Sequence, residues 1–233
     1  MNIEQKAASR GSETLQHEGV RRLYLSSAPE SAWNMRDMSL RILDVTLTSI
    51  ALVLLSPLFL LLIIAIRIDS RGAAFFNQKR VGRDGREFWC YKFRSMHTDA
   101  EAQRHILQEK NERSGPVFKM KNDPRVTRVG RFLRRSSLDE LPQLFNVLFG
   151  DMSLVGPRPG LPSEVAKYTA HQLGRLAVPP GLTGLWQVSG RADIGFESMI
   201  ELDLRYIEER SLWTNIRIMA QTIPAVLTGR GAY

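Results

Sequence analysis

Residues 45–66 read Val45-Thr-Leu-Thr-Ser-Ile-Ala-Leu-Val-Leu-Leu-Ser-Pro-Leu-Phe-Leu-Leu-Leu-Ile-Ile-Ala-Ile66, an uncharged run. As straight helix it would extend roughly 33 Å at ~1.5 Å per residue, against a bilayer hydrocarbon core of ~30 Å. It starts too late, and runs too long, for the apolar core of a secretory signal peptide. The chain is therefore expected to keep a membrane segment, and the rest is read outward from it.

Two details bear on how that segment sits. Ser56-Pro57 lies at its middle, where proline lacks an amide donor and crowds the carbonyl of Val53, so a kink is expected. Arg36 and Arg41 precede the segment, while Arg67, Arg71, Lys79, Arg80, Arg83 and Arg86 follow it. Basic flanks stay cytoplasmic. A helix that enters, bends at Pro57 and returns to the same face satisfies both flanks. A kinked single span with Arg67 snorkelling and its C-terminal side cytoplasmic is the other solution, and residue physics leaves both open.

The whole chain of 233 residues suits one domain with appendages. Lys and Arg exceed Asp and Glu by 32 to 24, a net +8 that favours anionic partners such as lipid headgroups, nucleic acid or phosphorylated substrates. The lone Cys90 cannot form an internal disulfide, which points to a reducing compartment, and its neighbours Trp89 and Tyr91 suggest a buried thiol. The four histidines are too scattered for a metal cluster, and no zinc motif occurs. Residues 1–35 are polar and aperiodic and are read as a mobile arm. The organisation expected is arm 1–35, membrane helix 36–70 and soluble domain 71–233.

Beyond the membrane segment, Ala74 to Arg80 and Glu87 to Phe93 flank Asp84-Gly85 and read as a hairpin carrying Lys92 near its end. Thr98 to Arg113 reads as a solvated surface helix, and the stretch to Asp123 as loop. Arg125, Arg128, Arg131, Arg134 and Arg135 recur near helical spacing and could share one basic face.

Next comes Ser137-Leu-Asp-Glu-Leu-Pro142. A capping box with Ser137 as N-cap would put Pro142 at the fifth helical residue, where its missing amide breaks the ladder. A helix starting at Asp139 puts the proline in the first turn and sets Asp139 and Glu140 at the positive end of the dipole. There, with Arg134 and Arg135 near, both carboxyls are expected to be ionised with depressed pKa values; an ionised Asp can serve as nucleophile or metal ligand, and the adjacent pair suits two roles better than a shared proton. Leu141, Leu144, Phe145 and Leu148 form an apolar stripe behind them, suited to a core or a bilayer interface. Gly156-Pro-Arg-Pro159 presents Arg158 on a stiff loop, and Pro179 to Arg191 supplies glycines, Trp186, Gln187 and Arg191 as candidate ligand contacts. Phe196 to Glu209 and Leu212 to Leu227 have helical apolar spacing, with Pro224 expected to kink or end the second.

Together, Ser56-Pro57, Lys92-Phe-Arg-Ser-Met96, Ser137 to Leu148, Asp151 to Pro159 and Pro180 to Arg191 resemble the bacterial sugar transferases, monotopic phosphoglycosyl transferases. The resemblance runs from about residue 36 to the C-terminus. It is greatest to the short rhizobial exopolysaccharide-initiating enzymes, since extra N-terminal membrane helices are absent. It implies an α+β, mainly helical fold: a re-entrant membrane helix bent at Ser56-Pro57 and a cytoplasmic interfacial domain with a small β-hairpin and amphipathic helices, at the bacterial inner membrane. It implies that Asp139 attacks a UDP-sugar, releases UMP and passes the sugar phosphate to undecaprenyl phosphate, with Glu140 binding Mg²⁺. Arg134 and Arg158 match phosphate-side positions, Lys92 is a third cation, and Gln187 and Arg191 are assigned to nucleotide or sugar. Galactose is the sugar favoured, glucose the next, and a homo-oligomer is left open.

A non-catalytic basic membrane adaptor or lipid-binding scaffold is the rival, but it gains nothing from an acidic pair set among arginines. A nucleic-acid binder leaves the apolar segment unexplained.

Overall fold

The computed structural model describes residues 35–100, 120, 123–190 and 194–228. The N-terminal arm, most of the surface helix expected over 98–113, and Arg191 lie outside them. The chain begins with helix α1 (Met35–Asp69), followed by β1 (Phe75–Val81), a 3-10 turn at Arg83–Gly85 and β2 (Glu87–Phe93). Helix α2 (Arg128–Arg135), a 3-10 turn at Leu138–Glu140 and α3 (Gln143–Phe149) come next. Strand β3 (Ser153–Val155), short helices α4 (Pro162–Val165) and α5 (Ala170–Leu173), a 3-10 turn at Gly174–Ala177, β4 (Gly181–Thr183) and α6 (Leu185–Ser189) build the middle. Helices α7 (Phe196–Glu209) and α8 (Leu212–Thr228) follow. Mostly helix with little sheet, this is the α+β class expected.

Helix α1, at 35 residues, is long and apolar enough to cross a membrane. Pro57 does not end it. The missing amide of Pro57 would leave the Val53 carbonyl without a donor, and the Ser56 hydroxyl supplies one at 2.8 Å. The Ser-Pro pair thus repairs locally what the proline removes. Around it Val53 and Leu54 are exposed, whereas Leu40, Asp44 and Thr48 toward one end and Phe59, Leu62 and Ile66 toward the other are buried.

The hairpin forms as expected, with register Phe75↔Phe93 through Val81↔Glu87. Asp84 and Gly85 both take positive φ in the turn. Alternation along the strands gives the hairpin two unlike faces. Phe93 meets Phe59 of α1 at 5.3 Å between ring centroids, within a buried cluster that also holds Leu62, Ile66, Ala74 and Leu133. Lys92, one residue earlier, faces the opposite way. The parallel pairing of β3 with β4 was not anticipated, because each strand has three residues, β3 just before the 156–159 loop and β4 inside the segment read as ligand contacts. Behind it Val155, Val178, Tyr206 and Ile218 form a core cluster, and the Tyr206 hydroxyl donates to Val155 O at 2.8 Å. Helix α8 runs four residues past Pro224, so that proline does not end it.

Helix α2 packs so closely on the chain following β2 that a Cβ at Gly130 would lie 1.9 Å from the carbonyl oxygen of Ser95. A Gly→Ala change inside a helix ordinarily gains ~1 kcal/mol. Here overpacking, typically ~1–3 kcal/mol, should decide the sign. Gly130→Ala is expected to lower the thermal midpoint of the detergent-solubilised protein; an unchanged or higher midpoint would refute this packing.

Candidate active site

The acidic pair is presented by a tight reversal between α2 and α3. Ser137 takes φ +57°, a left-handed conformation seldom used by non-glycine residues, and its side chain makes no capping bond. The capping box is therefore absent, and so is an α-helix beginning at Asp139. Pro142 has no amide for the Leu138 carbonyl, which instead accepts from Leu141 N at 3.2 Å, and Glu140 N donates to Ser137 O at 3.3 Å. Asp139 and Glu140 consequently ride on a 3-10 turn, and α3 starts after Pro142.

Asparagine fixes this turn against the hairpin. Asn146, fully buried on α3, accepts from Tyr91 N at 3.0 Å and donates to Trp89 O at 2.7 Å. Its amide thus acts as a short extra strand on the free edge of β2. Next along that strand, Lys92 Nζ donates to Glu140 Oε1 at 2.6 Å, and Arg158 Nη1 stands 3.7 Å from the same oxygen.

The two carboxyls are tuned in opposite directions. Burial pushes Asp139 up, and the Glu140 charge adds to this against the pull of Lys92, Arg134 and Arg158, leaving it at about 6. For Glu140 burial also acts upward, but Lys92 and Arg158 outweigh it and hold the group well below the usual carboxylate range. The sequence expectation that both are depressed holds for Glu140 and fails for Asp139, because desolvation outweighs the arginines there. At pH 7 a group of pKa ~6 is still roughly ten parts ionised to one protonated. Asp139 is therefore mostly ionised near neutral pH while its basicity is raised.

Asp139, Lys92, Arg134 and Arg158 line one cavity of about 460 Å³. Arg80 and Arg175 also reach its wall and serve as support. Arg80 donates to Pro159 O at 3.0 Å, and Arg175 donates to Arg158 O at 3.1 Å while pairing with buried Asp203 at 2.6 Å. These two guanidinium groups grip the backbone on either side of the Pro159 peptide and so aim Arg158. Of the expected basic row only Arg134 lines the cavity: Arg125 is buried against Asp123 at 2.7 Å, while Arg128, Arg131 and Arg135 are exposed.

The bacterial sugar transferase family model matches residues 35–229. The chain belongs to this family. It is 48% identical over 193 residues to a galactosyl transferase, CpsE, of Streptococcus agalactiae, covering 82% of this chain and 43% of that one. Against the exopolysaccharide production protein ExoY of Rhizobium meliloti it is 42% identical over 203 residues, covering 84% and 88%. Against the undecaprenyl-phosphate galactose phosphotransferase of Salmonella typhimurium it is 44% identical over 201 residues, covering 83% and 41%. The match thus spans about two fifths of the Streptococcus and Salmonella relatives and most of the Rhizobium one.

Four of the sequence-selected residues, Lys92, Arg134, Asp139 and Arg158, thus meet at one cavity, with Glu140 directly behind Lys92. Gln187 is not among the lining residues; its side chain donates to Leu182 O at 3.2 Å. Trp186, beside it, does line the cavity. The apolar stripe after Glu140 divides. Leu144 is buried with Gln143, Asn146 and Val147, whereas Phe145 and Phe149 are exposed, Phe145 edge-on to Phe59 at 6.0 Å. Arg80 and Arg175 escaped selection as site residues because only their tertiary partners mark them. Asn146→Leu keeps the size but strands two buried backbone groups, so a loss of about 2–4 kcal/mol is expected in urea unfolding; a loss under ~0.5 kcal/mol would show the clasp to be dispensable.

Proposed function

We propose that this protein transfers a hexose-1-phosphate, galactose-1-phosphate by preference, from a UDP-sugar to undecaprenyl phosphate. The observation that carries the reading is an aspartate of raised basicity in a cavity whose walls supply Lys92, Arg134 and Arg158, on a body joined to a long apolar helix. In the first step an Asp139 carboxylate oxygen forms a bond to the sugar-linked phosphorus, and the bond from that phosphorus to the bridging oxygen of UMP breaks. UMP leaves with the electron pair. In the second, a phosphate oxygen of the lipid acceptor bonds to the same phosphorus and Asp139 departs as carboxylate. No proton needs to be removed from either nucleophile, so charge neutralisation dominates, and the three cations serve it. Galactose is favoured because the names of the Streptococcus and Salmonella relatives contain it; a glucose phosphotransferase of Komagataeibacter xylinus, 40% identical over 220 residues, keeps glucose as the second choice.

Glu140 would hold Mg²⁺. No group of three or more His, Cys, Asp or Glu side chains gathers for a metal among the described residues. A single low-pKa carboxylate suits Mg²⁺, which keeps waters and completes its shell with substrate phosphates. When bound, the ion would neutralise diphosphate charge. Lys92 and Arg158 hold the carboxylate ionised for it.

Purified protein given Mg²⁺, undecaprenyl phosphate and a panel of UDP-sugars should release UMP fastest from UDP-galactose. Asp139→Asn should abolish release while leaving the melting curve unchanged, and EDTA should stop the wild type until Mg²⁺ is restored. Turnover by Asp139→Asn would remove the nucleophile assignment, and indifference to EDTA the metal.

The same reading makes α1 re-entrant on the cytoplasmic face of the inner membrane. Support comes from both ends of the helix docking on one body. At its start Arg41 donates to Val147 O and Leu148 O at 2.6 and 2.8 Å, Asp44 accepts from Leu154 N at 3.0 Å, and Asp37 pairs with Arg210. At its end Asp69 accepts from Val129 N at 2.9 Å. A crossing would put one of these sets on the far side of a ~30 Å core. In a Cys90→Ser background, Ser31→Cys and Arg71→Cys should both resist an impermeant thiol reagent in intact cells and react after permeabilisation. Labelling of Ser31→Cys in intact cells would establish a span.

A further inference from the structure

The cations of the cavity suit phosphates, yet an apolar ring stands beside them. Phe76 lines the cavity and is 44% exposed. It lies directly opposite Lys92 in the β1–β2 ladder, where facing Cβ atoms are ~4.5–5.5 Å apart. Its place in the chain ties it to the membrane helix. Ala74 is buried in the cluster of Phe59, Leu62 and Ile66. Phe75 stacks on Phe93 at 5.3 Å, and Phe93 touches Phe59 at the same distance. An apolar track therefore runs from α1 along the strand ends to the lip of the cavity, where Ala73, Phe75 and Phe76 all contribute. Phe93, which also lines the cavity, belongs to the α1 cluster, whereas Tyr168 and Trp186 pack in clusters that contain no residue of α1.

Resting on the transferase reading above, we propose that Phe76, with Ala73 and Phe75, seats the first isoprene units of the lipid acceptor and so delivers its phosphate to Lys92. The donor is a sugar nucleotide, polar along most of its length. The acceptor alone combines an anionic head with a hydrocarbon chain, and the lip combines an ammonium with a phenyl ring in the same order. An exposed ring that gains cover from a prenyl chain favours binding by its buried apolar area.

The test uses full-length protein in phosphatidylcholine nanodiscs. UMP released in a single turnover without acceptor reads the donor half-reaction, and steady-state turnover reads the KM for undecaprenyl phosphate. Phe76→Ser should raise the acceptor KM about tenfold, with the UMP burst and donor KM within twofold of wild type. Phe76→Leu should restore most of the affinity, and Phe76→Gln, which keeps bulk without an apolar face, should behave as serine does. Should serine unfold the hairpin, the leucine and glutamine variants carry the comparison. An unchanged acceptor KM in the polar variants would overturn the proposal, as would a raised donor KM with a smaller burst, which would assign the ring to the nucleotide. A wild type that releases no UMP from any UDP-sugar is a different failure, that of the transferase reading, and takes this proposal with it.

Discussion

One side-chain amide sets the relation between the hairpin and the acidic turn. Asn146 matches the hydrogen-bonding pattern of a strand edge, filling the free N–H of Tyr91 and the free carbonyl of Trp89 from a helix. Because side chains alternate along β2, a slip of one residue would turn Lys92 toward α1 and away from Glu140. The clasp excludes that slip. It also holds α3 at a fixed distance from β2, and α3 follows the acidic turn after only Leu141 and Pro142. The short contact between Lys92 and Glu140 is therefore a consequence of pairing at Tyr91 and Trp89, one and three residues back along the strand.

Arg41 anchors the far end of the same helix. Its guanidinium takes the Leu148 carbonyl and shares the Val147 carbonyl with Gly150 N, which donates to it at 3.2 Å, and Gly150 closes the helix at φ +94°. Helix α3 is thus bound along its side by β2 and at its end by α1. A seven-residue helix has little intrinsic stability. Its rigidity comes from these two neighbours, so α1 takes part in holding the acidic turn.

The parts legible in the sequence were those whose signal is local. The uncharged run, the Asp84-Gly85 turn and the apolar period of 196–209 each state their structure within a few residues, and α1, the hairpin and α7 follow them closely. The acidic pair and Arg158 were legible through motif. Less so was the conformation of the pair: Pro142 correctly spoke against a capping box, but the alternative start at Asp139 overlooked that the same proline prevents an α-helical bond to Leu138 O. The sign of the Asp139 shift was lost for another reason. Arginines near in sequence can be counted, whereas the enclosure that desolvates a carboxyl is assembled from β2, the 156–159 loop and α2. The supporting arginines are the clearest case. Arg80 reaches Pro159, 79 positions away, and nothing local distinguishes it from the exposed Lys79 beside it.

The opposite tuning of Asp139 and Glu140 follows from this assembly rather than from the residues themselves. Both are carboxyls on adjacent positions of one turn, and both are partly withdrawn from water. What separates them is direction: on a 3-10 turn adjacent side chains diverge by about 120°. Glu140 points at Lys92 and within reach of Arg158, so the attraction it gains exceeds its desolvation. Asp139 points into the cavity, sees the same cations from farther off and meets Glu140's charge as well. Glu140 is thereby held ionised by its cations while Asp139 keeps a more basic carboxylate at the cavity wall. Moving Lys92 or reversing the turn would exchange those roles, so the division of labour is a property of the register between β2 and the turn, and ultimately of the asparagine that fixes it.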